Sequence, residues 1–168
     1  MLVSKIKYIN LYFFFLLSFF LFIISIYQSQ YFHWTAILDQ DIVIIYNSLL
    51  ISSGIEQEYR DHPAYITFLI YGLLIKIFSL FNPDILSNIN DLKNSLTPNK
   101  DLQSLFNFCR NINVIINISL IFFLYKLLIK ITFSQTSAIL GCGILLVSGW
   151  YTESLFYLRN ENLSIIFF

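Results

Sequence analysis

The chain has 168 residues, 57% of them hydrophobic and 12% charged, and its ten basic and ten acidic side chains balance to a net charge of zero. Soluble domains carry about 25% charged residues, so this composition, with a mean hydropathy of +0.71, excludes a chain that covers itself with a water-facing surface. The zero balance also excludes the basic footprint of a nucleic-acid-binding protein.

The first predicted element is the apolar segment 8–27, "YINLYFFFLLSFFLFIISIY", which carries no charge. It matches the roughly 20 residues that a helix needs to cross a bilayer. A signal peptide has a shorter core, about 7–15 residues, and a small-residue cleavage site. The following "QSQYFHW" offers no such site, so the segment reads as a retained anchor. Lys5 and Lys7 precede it, which holds the N-terminus in the cytoplasm and brings residue 28 out on the other side.

Next, in "WTAILDQDIVIIYNSLLISSG", Asp39 is a good N-cap and Gly54 a good stop for a helix over 40–53. At about 100° per residue, Asp41, Ser48 and Ser52 fall on one narrow stripe, with Ile and Leu over much of the remainder. Such a helix is too short to cross a membrane and is expected to lie flat on it, apolar side down. Segment 64–81, "AYITFLIYGLLIKIFSLF", is almost long enough to span but contains Lys76. Tyr65, Gly72, Lys76 and Ser79 share one side of it, which suits a membrane-parallel helix. Segment 82–113, with Pro83, Pro98 and many Asn and Asp, is too polar for lipid.

Segments 111–131 and 135–151 read as two further spans, joined by a tight turn near 132–134. A last apolar run, 162–168, is too short to cross a bilayer, and the expectation is the N-terminal part of a larger protein. The fold class expected is all-α: polytopic membrane helices with external juxtamembrane amphipathic helices, in one module with an external loop over 28–110. Charge alone leaves the topology open. If 64–81 crosses, Lys93, Lys100 and Arg110 are cytoplasmic; if it lies on the outer surface, Lys126 and Lys130 mark the cytoplasmic turn.

Cys109 and Cys142 form no Cys-x-x-Cys or Cys/His cluster, so neither a zinc site nor a disulfide framework is indicated. The sequons at Asn117 and Asn162 lie in or beside apolar helices and read as accidental. Three polar groups stand out. They are Asp39 with Asp41; "EQEYRDHP", with Glu56, Glu58, Arg60, Asp61 and His62; and "YLRNEN", with Arg159 and Glu161. A carboxylate at a low-dielectric boundary has a raised pKa unless a cation or metal compensates, and Arg60, His62 and Arg159 are candidate compensators. Such a carboxylate can take a proton from an acceptor hydroxyl while arginine steadies a phosphate leaving group. Each group also has a plainer reading: acids at a helix N-terminus, a polar turn ahead of a helix with Pro63 near its first position, and an interfacial charge pair. His33 and Trp34 fit an aromatic belt.

In order, a Lys-bearing start and a single span, "LDQDIVIIYNSLLISSG", "EYRDHPAYITFLIYGL", two spans and "SLFYLRNENLSIIFF" resemble the first third of GT-C superfamily integral-membrane glycosyltransferases. The most similar groups are bacterial relatives of dolichyl-phosphate-mannose protein mannosyltransferases and of lipid A aminoarabinose transferase. The layout covers nearly the whole chain, and the motif-level match lies around 38–72 and 157–168. The resemblance implies that Asp39 and Asp41 occupy an acidic motif holding the catalytic base or a metal-linked carboxylate. Which of the two is the base stays open, because Asp-Gln-Asp stands here where many relatives have adjacent acids.

Arg60, Asp61 and His62 would then lie near the sugar or phosphate, and Arg159 and Glu161 would form the second motif, returning to the same side. The resemblance also implies that 64–81 lies along the outer face of a bacterial inner membrane, with the N-terminus cytoplasmic. The donor implied is a polyprenyl-phosphate sugar; membrane lipid is a second partner, and a divalent metal is left unassigned. The family's later spans, which complete the donor cavity, have no counterpart in these 168 residues, so the chain by itself is expected to be inactive. The alternative from another class is a non-enzymatic polytopic membrane protein, a transporter or scaffold fragment.

Overall fold

A computed structural model describes residues 2–36, 41–58, 64–82 and 85–158. The described residues form helices α1 (Leu2–Tyr31), α2 (Asp41–Ser52), α3 (Tyr65–Ser79), α4 (Ile89–Asn94), α5 (Pro98–Thr132), α6 (Gln135–Val147) and α7 (Gly149–Phe156), with a 3-10 turn at Trp34–Ala36. No strand occurs among them, so the all-α expectation holds. The apolar run 162–168 lies outside the described residues.

Helix α1 extends beyond the predicted 8–27 at both ends. Leu16, Phe19, Phe20, Ile23 and Tyr27 line its exposed side, while Leu17 and Leu21 pack inward. Helix α2 ends where the sequence indicates. Gly54 adopts φ +72°, Ile55 N–H donates to Leu50 O at 2.9 Å, and Gly54 N–H donates to Ile51 O at 3.0 Å. That pair of bonds is the Schellman closure, and it needs a residue that enters the left-handed region cheaply. The expected orientation of α2 is overturned, because its polar stripe faces inward: Asp41 and Ser48 are buried along with Ile44, Ile45 and Leu49. The reason is local. Ser48 is small and bonds its own helix, Oγ to Ile44 O at 2.6 Å, so α3 can approach closely at Gly72.

Helix α3 buries Thr67, Phe68, Tyr71, Gly72 and Ile75 against α2 and leaves Ile66, Leu69, Leu73 and Ile77 exposed. It therefore carries apolar residues on its exposed side as well as on its buried one. Two further boundaries differ from the sequence reading. Helix α5 starts at Pro98, so the polar segment before residue 111 is largely helical. Pro98 sits at the first helical position with Asp101 in the first turn, and Leu105, Phe106 and Cys109 are buried. The expected span over 135–151 is two helices, because Ser148 adopts extended backbone and accepts from Tyr151 N–H at 3.3 Å, starting a new helix at Gly149.

Two apolar cores result. The first joins α2, α3, residues 85–89 and the start of α5, with Leu158 inside it. The second joins the far half of α5 with α6, α7 and Leu17 and Leu21 of α1. Helix α5 runs through both. Its 35 residues extend about 52 Å, and among the described residues it is the helix long and apolar enough to cross a membrane.

Candidate functional site

Asp41 opens α2 and is wholly buried, as is Arg110 on α5. Arg110 Nε donates to Asp41 Oδ2 at 2.9 Å, and Nη2 lies 2.9 Å from the same oxygen as a charge contact whose N–H points aside. The opposite oxygen, Oδ1, accepts the Leu158 backbone N–H at 2.8 Å. Both carboxylate oxygens are thereby occupied. Arg110 also donates through Nη1 to Phe32 O at 2.7 Å, and its guanidinium carbon lies 5.6 Å from the centre of the Phe106 ring. Burial pushes the Asp41 carboxyl above the ordinary carboxylate value, and the Arg110 charge and the Leu158 N–H oppose that shift.

A second anchor lies farther along α2. Asn47 is buried; its Nδ2 donates to Val43 O at 2.8 Å, and its Oδ1 accepts the Glu58 N–H at 3.0 Å. The Glu58 carboxylate in turn accepts the Tyr46 hydroxyl at 2.8 Å. Six residues on, Ala64 is packed in the first core. The "EYRDHPA" stretch is therefore tied at both ends to the α2–α3 unit.

The third anchor comes from α5. Asn113 Nδ2 donates to Ser154 O at 2.9 Å and Tyr157 O at 2.8 Å, closing the end of α7. The Tyr151 hydroxyl donates to Asn117 O at 2.8 Å. Gln103 accepts the Trp34 N–H at 2.8 Å and donates to Phe32 O at 3.1 Å. Gln103, Arg110, Asn113 and Asn117 follow spacings of seven, three and four, so they share one face of α5. That face fixes the chain before Asp39 and the chain before Arg159.

Of the residues singled out in the three polar groups, Asp41, Glu56 and Glu58 are described; Asp39, Arg60, Asp61, His62, Arg159 and Glu161 lie outside the described residues. The described flanks of all three motifs nevertheless meet one helix: Asp41 itself, Glu58 through Asn47, and Leu158 through Asp41. Sequence reasoning missed Arg110, Asn47, Asn113 and Gln103. A signal was present for Asn113 and Asn117, a pair of amides one turn apart in an apolar run. Asn117 is buried with its amide donating to Asn113 O at 2.9 Å, in keeping with an accidental sequon.

No group of His, Cys, Asp and Glu suited to a metal converges among the described residues. The surroundings of Asp41 do not fit a divalent ion, since a guanidinium already occupies the cation position and Leu158 takes the other oxygen. Two apolar grooves run beside α1. One, of about 680 Å³, is lined by Leu17, Ile139, Leu140 and Ile144; the other, of about 360 Å³, by Phe15, Phe19, Ile115 and Ile118. Neither contains a residue singled out from sequence. No protein-family model, curated protein or solved structure matches this chain.

Proposed function

We propose that this chain is the N-terminal module of a GT-C-type membrane glycosyltransferase, which transfers a sugar from a polyprenyl-phosphate donor to an acceptor hydroxyl at the outer face of a bacterial inner membrane. In this reading α1, the far part of α5, and α6 with α7 are in the bilayer, and α2 and α3 form an external surface unit. The observation that carries it is the Leu158 N–H to Asp41 Oδ1 bond across 117 residues of sequence. It joins the approach to Arg159 and Glu161 to the helix that follows Asp39, as a shared site requires.

Asp41 and Arg110 then act as positioning residues, and Asp39 is the base. The acceptor oxygen bonds to the anomeric carbon as the carbon–oxygen bond to phosphate breaks. The acceptor proton passes to the Asp39 carboxylate, and the phosphate departs with the bonding electrons. Arg60, His62 and Arg159 supply the positive charge that steadies it, with Asp61 and Glu161 orienting them.

In the intact protein, Asp39→Asn is expected to lower sugar transfer by about 10²-fold or more without changing membrane insertion or thermal stability. Asp41→Asn is expected to lower both transfer and stability. Wild-type transfer by Asp39→Asn would overturn the mechanism. A second reading, a non-enzymatic membrane protein, draws on the complete burial of Asp41; there Asp41→Asn loses stability while Asp39→Asn has no effect on any measured property.

A further inference from the structure

A polar basin of about 490 Å³ opens at the far end of α2 from Asp41. Ser52, Ser53, Lys76, Ser79, Asn88 and Asp91 line it, in a chain otherwise poor in charge. Its floor is built. Ser52 Oγ donates to Ser87 O at 2.7 Å, Ser53 Oγ accepts Ile89 N–H at 2.9 Å, and Asn88 and Asp91 cap α4 reciprocally. The hydroxyls are mostly committed to these bonds, whereas the two charges meet no ionic partner among the described residues. Asp91 uses Oδ2 to accept Ser87 N–H at 2.9 Å, the Ser87 hydroxyl at 2.5 Å and Asn88 N–H at 3.2 Å, and its Oδ1 has no partner among the described residues. Burial alone would raise its pKa, but those donors outweigh it and hold the carboxyl below its ordinary value, so Asp91 stays ionised. Lys76 is exposed, and its ammonium meets no carboxylate among the described residues.

We infer that this basin binds a phosphoethanolamine headgroup, with its phosphate on Lys76 and its ammonium on Asp91. Among the described residues neither Lys76 nor the Asp91 Oδ1 has an ionic partner, and a cation and an anion lining a single cavity match a zwitterion better than a simple anion or a neutral sugar. The rim favours the lipid-borne form. Leu80 and Phe81, 79% and 81% exposed, stand beside the basin and would meet acyl chains. Exposed Leu73 and Ile77 continue the apolar side of α3. The inference rests on the membrane-surface placement of α3 proposed above, and not on glycosyl transfer. A plainer role for Lys76, at the C-terminal end of α3, is to offset the helix dipole, and that role predicts no lipid preference.

The test reconstitutes the whole chain into bilayers of mixed headgroup and counts the retained lipids by native mass spectrometry. Ethanolamine lipid is expected to be retained over choline and glycerol lipids by about fivefold, the scale of an exposed ion pair. Lys76→Gln and Asp91→Asn are each expected to erase the preference with unchanged circular dichroism. Displacement by soluble glycerophosphoethanolamine would assign the site to the headgroup alone, and persistence would assign it to the lipid. No preference in the wild type, or an unchanged preference in both variants, overturns the inference. Labelling of Asn90→Cys from the cytoplasmic side would overturn the topology separately, leaving the headgroup preference to the lipid counts.

Discussion

Arg110 holds three segments at once: the turn after α1 through Phe32 O, α2 through Asp41, and, by way of that carboxylate, the chain at Leu158. A buried ion pair gives little net stability relative to well-packed apolar residues, but losing one partner strands the other charge. Arg110→Met is accordingly expected to destabilise the fold by about 3–5 kcal/mol. The double variant Asp41→Leu with Arg110→Met should recover much of that loss. Chemical unfolding in detergent micelles measures both, and a single variant within about 1 kcal/mol of wild type would remove the pair from its central position. In sequence, Arg110 is only a cation near the start of an apolar run. Its partner is 69 residues away, a separation no local pattern encodes.

At the scale of elements, the α2–α3 contact sets the first core. A Cβ on Gly72 would lie 2.9 Å from the Ser48 backbone oxygen. That oxygen belongs to a helix buried along most of its length, so Gly72→Ala must push the two helices apart. The expected cost is about 1–3 kcal/mol, the range for overpacking a filled core. Gly143 meets nothing within 4 Å, and Gly143→Ala, gaining helix propensity, is the control expected to be neutral or mildly stabilising. Thermal unfolding of the two variants side by side decides it; equal midpoints would mean that α2 and α3 are not in close contact. The C-terminal end of α2 was legible from Gly54. The inward turn of the Asp41–Ser48 stripe was not, because helical periodicity tells which residues share a face and not what that face meets.

For the whole molecule, α5 sets the plan, with its polar start in the first core and its apolar remainder in the second core. If the proposed topology holds, Leu96 is external and Phe133 cytoplasmic; they are 99% and 93% exposed. A membrane-impermeant maleimide is therefore expected to label Leu96→Cys in intact cells and Phe133→Cys only after permeabilisation. Cys109 and Cys142 are buried and free of disulfides, so the native background stays silent. Labelling of Leu96→Cys from the cytoplasmic side would put α3 across the bilayer and separate Arg159 and Glu161 from the first two motifs.

By itself the sequence determined the all-helical class, the apolar character of the helices and the positions of the turns at Gly54 and 132–134. These follow from composition and local periodicity, which act over a few residues. It also marked Asp41 as unusual without saying why. Only the tertiary structure decided that Asp41 is sealed against Arg110 and Leu158, that Asn47 ties down the stretch leading to Arg60, and that Asn113 closes α7 ahead of Arg159. The physical reason is desolvation. A buried carboxylate, guanidinium or amide must find its partner wherever the chain brings one, and that partner is selected by packing rather than by proximity in sequence.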